Sequence, residues 1–428
     1  MRNSKFKPPH FPPVVVATLA LVCIFGRSAF AQEEAGSVNS MLPGEWLHWK
    51  MFNFRPRLAT GVTYDDNIDL RRKDELQDII WNVSPGILAE AGDRSAGEKF
   101  LSLDYAPNIL KFTEHDEFDA VDHSAQLRGL LPFAKLTLGG SAGFQQLSTP
   151  EIELGIRVKR DLYTLALTSS YEVSPKTSLE LNGSYHETDY GDRRFISSQE
   201  WTGQAWVNNQ ISSKVNVGFG LVGGLLQQDQ GPSQIYERVL FRAIYTLTYK
   251  LDLTASVGGE WRQYQPFSHV TGIRIVITPT STNTFPVVTQ EKAASRFSPV
   301  FDIGATYRPR EGTSLKLLAY RRDQNSPTIA GYNYLTTGIS VSVRQRFWER
   351  FAVSFGGSLE NSSYHSDLQN QTLDHDDNYY GVNAGLDALI TQRWTAGVVI
   401  QHRSSDSNKP YGTIFKDNQV VLQTSYSF

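Results

Sequence analysis

The chain closes on Gln419-Val420-Val421-Leu422-Gln423-Thr424-Ser425-Tyr426-Ser427-Phe428. Successive side chains of a strand point to opposite faces. Val420, Leu422, Thr424, Tyr426 and Phe428 therefore share one face, and Gln419, Gln423, Ser425 and Ser427 the other. The apolar face runs to the last residue, with two aromatics at its end.

The same pattern recurs upstream. In 351–360, Phe351, Val353, Phe355 and Leu359 oppose Ala352, Ser354, Ser358 and Glu360. In 238–249, Val239, Phe241, Ala243, Tyr245, Leu247 and Tyr249 oppose Arg238, Arg242, Thr246 and Thr248. In 251–262, Leu251, Leu253, Ala255, Val257 and Trp261 oppose Asp252, Thr254, Ser256, Glu260 and Arg262. A water-soluble antiparallel sheet also alternates. Here the second face is small and hydrophilic, as a wet lumen requires, and the alternation persists to the chain end. The pattern predicts an all-β, antiparallel up-and-down transmembrane barrel of about eighteen strands, with sixteen or twenty as alternatives. The segments lie near 52–64, 79–90, 97–110, 119–131, 134–145, 159–172, 177–187, 194–210, 214–227, 235–250, 251–263, 294–308, 313–322, 333–346, 350–361, 378–390, 393–404 and 416–428.

Tight connections such as Ser212-Ser213, Lys250-Leu251 and Thr391-Gln392 alternate with long polar ones such as 65–78, 146–158 and 362–377. Short periplasmic turns and longer outer loops produce this alternation, which places both chain ends in the periplasm. The connection 264–293 is the outlier. It carries its own apolar alternation and reads as a hairpin standing above the barrel or folding over its mouth, where it would constrict the path. A nineteenth and twentieth strand is the other reading, disfavoured by Pro279 and Pro286. In this frame Tyr426 and Phe428 look like the assembly signal read by the barrel-insertion machinery.

The other end of the chain has the form of an export signal. Arg2, Lys5 and Lys7 precede the apolar run Val14 to Gly26, and Ala29-Phe30-Ala31 is a cleavage sequence. The run is too short to span as a helix, which takes roughly 20 residues. The expected organisation is a signal peptide over 1–31, a short periplasmic segment over 32–50, and an outer-membrane barrel over 51–428. Cys23, the single cysteine, lies in the apolar run, so the mature chain has no thiol chemistry or disulfide framework. Loss of the four basic residues Arg2, Lys5, Lys7 and Arg27 takes the net charge from −3 to −7. No basic stripe suggests nucleic acid.

Tyr64-Asp65-Asp66-Asn67-Ile68, after the first strand, resembles the β-barrel porin 2 family of outer-membrane proteins. Ser84-Pro85-Gly86 and Leu103-Asp104-Tyr105-Ala106-Pro107 are similar to that family's early strands. The match covers roughly residues 52–145; later strands agree in texture. The resemblance implies an association with exopolysaccharide production or export, and no catalytic residues.

The chain carries no H-E-x-x-H and no histidine pair at metal spacing, so no catalytic residue, cofactor or metal ligand is expected. The acidic stretches Asp65 to Glu75 and Asp374 to Asp377 read as solvated loops or weak cation sites. Charge on the lipid face at mid-depth costs about 2–4 kcal/mol for Arg. Arg238, Arg242, Glu260, Arg262, Arg344, Arg346 and Arg403 are therefore expected to face the lumen. There they either set a field for anionic or sugar solutes or brace the wall as paired charges. The sequence supports a passive pore or export conduit for polysaccharide or small solutes, with outer-membrane lipid around it. The rival is a plugged structural barrel that engages a partner through its loops or residues 32–50. The oligomeric state stays open.

Overall fold

Each alternating segment finds its hydrogen-bonding partners in the next one along the chain, since a tight turn leaves antiparallel pairing as the nearest way to satisfy the backbone. The structure, a computed structural model, describes residues 47–49, 51–93, 97–265, 267–278, 281–291, 295–328, 332–366, 374–410 and 412–428. The expected signal peptide and most of segment 32–50 lie outside these residues.

Eighteen strands form the wall. They are β1 Phe52–Asp65, β2 Asp78–Gly92, β3 Phe100–Phe112, β4 Ala120–Pro132, β5 Leu136–Leu147, β6 Arg160–Ser174, β7 Thr177–Asp189, β8 Ser198–Gln210 and β9 Val215–Gln228. Then follow β10 Gln234–Thr248, β11 Leu251–Tyr264, β12 Arg296–Tyr307, β13 Thr313–Asn325, β14 Tyr332–Phe347, β15 Phe351–Ser366, β16 His375–Thr391, β17 Trp394–Ser407 and β18 Phe415–Ser427. Each pairs antiparallel with its sequence neighbours. β1 also pairs with β18, Leu58 opposite Tyr426 and Asp65 opposite Gln419, so the sheet closes. Closure leaves no edge strand, the condition for standing in hydrocarbon. Leu47–Trp49 folds back on Phe52–Phe54 as a short additional strand.

The eighteen-strand expectation holds. The two further strands of the twenty-strand alternative, Phe267–Thr278 and Ser281–Glu291, pair with each other in a separate two-stranded sheet. β11 pairs directly with β12, Val257 opposite Phe301. Pro286 sits in that ribbon opposite Ile273; a two-stranded ribbon has a free side on each strand, where a missing N–H costs no ladder bond.

Connections alternate around the ring. One rim carries the longer ones, including 66–77, 113–119, 148–159, 190–197 and 265–295. The other carries tight turns, among them 133–135, 175–176, 249–250, 348–350 and 392–393, together with the start of β1 and the end of β18.

On the outer face the apolar positions fall in register. Leu221 opposes Val239, Phe219 opposes Phe241, and Phe241 opposes Val257; all are exposed. Exposed aromatics stand in two rows. Trp81, Tyr163, Trp201, Trp261, Phe297 and Tyr380 lie near the long-loop rim, and Tyr171, Tyr249, Tyr307, Trp348, Phe351 and Trp394 near the short-turn rim. A continuous apolar belt of this size would be unstable in water. Bounded by two aromatic girdles, it has the form of a lipid-facing surface. Among the described residues no helix is long and apolar enough to cross a membrane.

Candidate functional site

Side chains on a closed sheet converge on the concave face and splay apart on the convex one. Contacts between non-neighbouring strands therefore mark the interior. Arg57 on β1 reaches Asp104 on β3 at 2.6 Å, and Arg242 on β10 reaches Glu180 on β7 at 3.0 Å. Gln234 on β10 and Asn333 on β14 exchange amide hydrogen bonds at 3.0 and 3.2 Å, both fully buried. These polar residues sit one position out of phase with the apolar belt.

One charged cluster of this interior lies on the wall β10–β14. Glu260 is buried between two guanidinium groups: Arg238 Nε donates to Oε2 at 2.5 Å and Arg262 Nε to Oε1 at 2.7 Å. Arg262 also donates to Gln234 Oε1 at 2.7 Å and lies 3.6 Å from Asp323 on β13. Buried charges are tolerated when paired and hydrogen-bonded in this way.

A second device recurs along the same face. An aromatic lies over the glycine directly opposite it on the next strand: Trp206 over Gly220, Tyr236 over Gly224, and Tyr320 over Gly338. Each ring is then capped by arginine. Arg242 sits 4.4 Å from the Trp206 ring centre and Arg322 4.7 Å from Tyr320. Tyr236 takes both Arg238 and Arg262, at 4.6 and 4.9 Å. A glycine without a Cβ lets the ring lie flat on the backbone, and the ring face attracts the cation. Gly224→Val should therefore displace Tyr236 and cost about 1–3 kcal/mol. Gly223→Val, on the opposite face, meets nothing within 4 Å and should leave the guanidinium midpoint unchanged. Equal midpoints for the two variants would refute this account of the ring packing.

Of the seven charges expected in the lumen, the structure brings Arg238, Glu260 and Arg262 into one cluster. Arg242 joins Glu180 and Asn208. Arg344 is held by Asp387 at 3.4 Å and Arg403 by Asp417 at 2.5 Å. Arg346 stands apart at the short-turn rim, with no carboxylate partner among the described residues. The arginines of the wall are thus largely neutralised in place, the arrangement of a braced wall more than of an open cationic field.

The mouth is crossed by segment 148–159, between β5 and β6. Its tip residue Glu153 accepts a hydrogen bond from Tyr334 Oη at 2.7 Å, and β14, which carries Tyr334, is close to diametrically opposite in an eighteen-strand ring. Thr413 Oγ1 donates to the Glu153 carbonyl at 2.9 Å. Arg157 takes the Ile68 carbonyl and donates its backbone N–H to Asp69 at 2.8 Å. Burial in the loop depresses the Arg157 pKa from its usual value. Apolar side chains complete the contact: Ile152 packs with Leu70 and Phe415, and Val158 with Tyr190 and Phe195. The sequence offered 264–293 as a constriction, and the side chains of that hairpin lie outside the described residues; the segment seen across the mouth is 148–159. Its apolar alternation, Ile152, Leu154, Ile156 and Val158, was the available signal, overlooked because the stretch is shorter and more polar than 264–293.

No protein-family model matches the chain, and no curated protein matches it. Among solved structures, the chain is similar to the outer membrane protein OpdK of Pseudomonas aeruginosa, at 12% identity over 88% of this chain and 99% of that one, with a TM-score of 0.44. It is similar to OccAB3 of Acinetobacter baumannii at 12% identity, 88% and 99% coverage and a TM-score of 0.45. A loop-deletion form of OmpT of Vibrio cholerae gives 10%, 88% and 99%, with a TM-score of 0.37. Overlap of this extent assigns the chain neither a family nor a solute.

The acidic motif after the first strand sits at the closing seam. Carboxylate oxygens of Asp65, Asp66 and Asp417 lie within 4.8 Å of one another. They are already held by donors: Asn418 binds both oxygens of Asp66, Gln419 binds Asp65, and Arg403 binds Asp417. Three of the described histidines make these side-chain hydrogen bonds. His115 bonds Asp78, whose buried carboxylate also accepts backbone N–H groups of Thr113, Glu114 and His115. His402 meets Asn418 at 2.7 Å and His123 meets Tyr105 at 3.1 Å.

Proposed function

We propose that the protein is an outer-membrane, porin-like barrel that passes small polar solutes, with its outer mouth held shut at rest by segment 148–159. The observation that carries this reading is the closed ring with an apolar belt outside and a hydrogen-bonded polar face inside. Eighteen strands are enough to enclose an aqueous path. Residues 1–31 would be the export signal, 32–50 a periplasmic lead-in, and the long-loop rim the cell surface. An exopolysaccharide solute rests on the sequence resemblance alone. The latched loop favours the second reading, a sealed structural barrel, to the extent that it stays latched. Planar-bilayer recording separates them: discrete conducting steps are expected from the purified chain. Silence at every voltage, in the full chain and in a form shortened across 150–157, would remove the conduit reading.

Tyr426 and Phe428 fit an assembly role. Both are exposed on the outer face, their rings meet edge-on at 5.0 Å, and Phe428 N–H donates to the Pro56 carbonyl at 3.1 Å. Deleting Phe428 is expected to remove most of the folded, heat-modifiable protein from membranes while leaving refolding in detergent nearly intact. Loss of both in parallel would mean that the residue serves seam stability, not recognition.

A further inference from the structure

A cavity of about 760 Å³ opens at the short-turn rim, between the β10–β11 turn, the β12–β13 turn and the end of β14. Five cations line it: Lys250, Arg308, Arg310, Arg344 and Arg346, against the single acid Glu311. Arg308 is bound by Asp252 at 2.8 Å and Arg344 by Asp387 at 3.4 Å. Lys250, Arg310 and Arg346 have no carboxylate partner among the described residues. This is unlike the wall above, where buried arginines meet acids, and it occurs in a chain whose net charge is −3. Gly312 fixes the spacing. It has a φ of +81°, its carbonyl accepts the Arg346 N–H at 2.8 Å, and a Cβ there would come within 3.1 Å of Arg346 Cβ. The turn thereby carries Arg310 to the same cavity as Arg346.

Concave walls concentrate the field of like charges. Guanidinium forks match phosphoryl oxygens in pairs, and an ammonium adds a point charge. The volume falls within the roughly 300–1,000 Å³ of small-molecule sites. We propose that this vestibule is an anion site that takes a phosphoryl group, carried either by a soluble phosphate ester or by the headgroup of an anionic phospholipid in the adjoining leaflet. The Tyr249 and Trp348 girdle beside it makes the lipid source accessible. The site rests on the membrane reading above for its periplasmic position and deepens it by naming a ligand class.

Inorganic pyrophosphate, titrated calorimetrically into the full barrel in non-ionic detergent, probes the soluble source. Nanodiscs of phosphatidylcholine with and without phosphatidylglycerol, read by native mass spectrometry, probe the headgroup. Saturable binding in either arm is expected, weakened about tenfold or more in the K250Q/R310Q/R346Q variant, since each lost charge-assisted bond is among the stronger kind. Glu311→Gln should shift affinity the other way, tightening it severalfold. Heat-modifiable mobility confirms that each variant is folded. Absence of binding in both arms, or equal binding by the triple variant, overturns the site. Binding is scored apart from conductance. Binding by a barrel that stays silent, full-length and shortened, in bilayers supports the site while the conduit reading falls; conductance without binding overturns the site alone.

Discussion

Glu260→Ala is expected to cost the barrel about 3–5 kcal/mol, because it breaks a buried ion pair from one side and leaves its partners charged. The Glu260 side chain is fully buried, and both of its oxygens are taken by arginines. Arg262 is 3% exposed and would be left with Asp323 at 3.6 Å. Arg238 is 22% exposed, can turn toward water, and moves the expectation to the lower end of that range. The loss should propagate to Tyr236, whose ring both guanidinium groups contact. Glu260→Gln keeps hydrogen-bond acceptance at one oxygen but loses the charge, and should fall between wild type and alanine. Equilibrium unfolding in detergent micelles, followed by tryptophan fluorescence, reads the difference. A change below about 1 kcal/mol for Glu260→Ala would place the group in the class of weak exposed pairs and remove the bracing account. The same physics gives the converse expectation: exchanging Arg238, Glu260, Arg262 and Asp323 together for apolar residues of similar volume should be far less costly than Glu260→Ala.

The wall was legible because its signals are local. A strand such as β10 declares its faces in its own residues, and the tight turn at Lys250 sets the pairing of β10 with β11. The Arg238–Glu260 pair lies in that ladder, directly opposite one another, so it was within reach of the sequence. Arg262 with Asp323, and Gln234 with Asn333, were not. They skip strands, and whether they touch depends on the curvature of the ring. The glycine–aromatic stacks needed register as well as composition: Gly220, Gly224 and Gly338 look alike in sequence to the outward Gly223. The mouth was hardest. Glu153 and Tyr334 are 181 residues apart, and no periodicity relates a loop tip to the far wall.

Replacing 150–157 by a short Gly-Ser linker is expected to raise single-channel conductance by about an order of magnitude, since an eighteen-strand ring with nothing across it leaves an aqueous channel. Point changes should open it in part. Glu153→Ala removes the acceptor for Tyr334 Oη, and Tyr334→Phe removes the donor of the same bond. With about 1 kcal/mol in that bond, either should raise the open fraction roughly fivefold. The two together should do little more than one, because they break a single contact. Additive effects would show that Glu153 and Tyr334 act separately and that the bond is not the latch. Thr413→Val, which removes the second tie to Glu153, should add to either of them. Removing the hairpin 267–291 provides the contrast. It pairs with itself in its own sheet and supplies none of these ties, so its loss should leave resting conductance near that of the full chain. If the hairpin deletion opened the pore and the 150–157 replacement did not, closure would lie in 264–293, and the contacts of Glu153 would be packing alone.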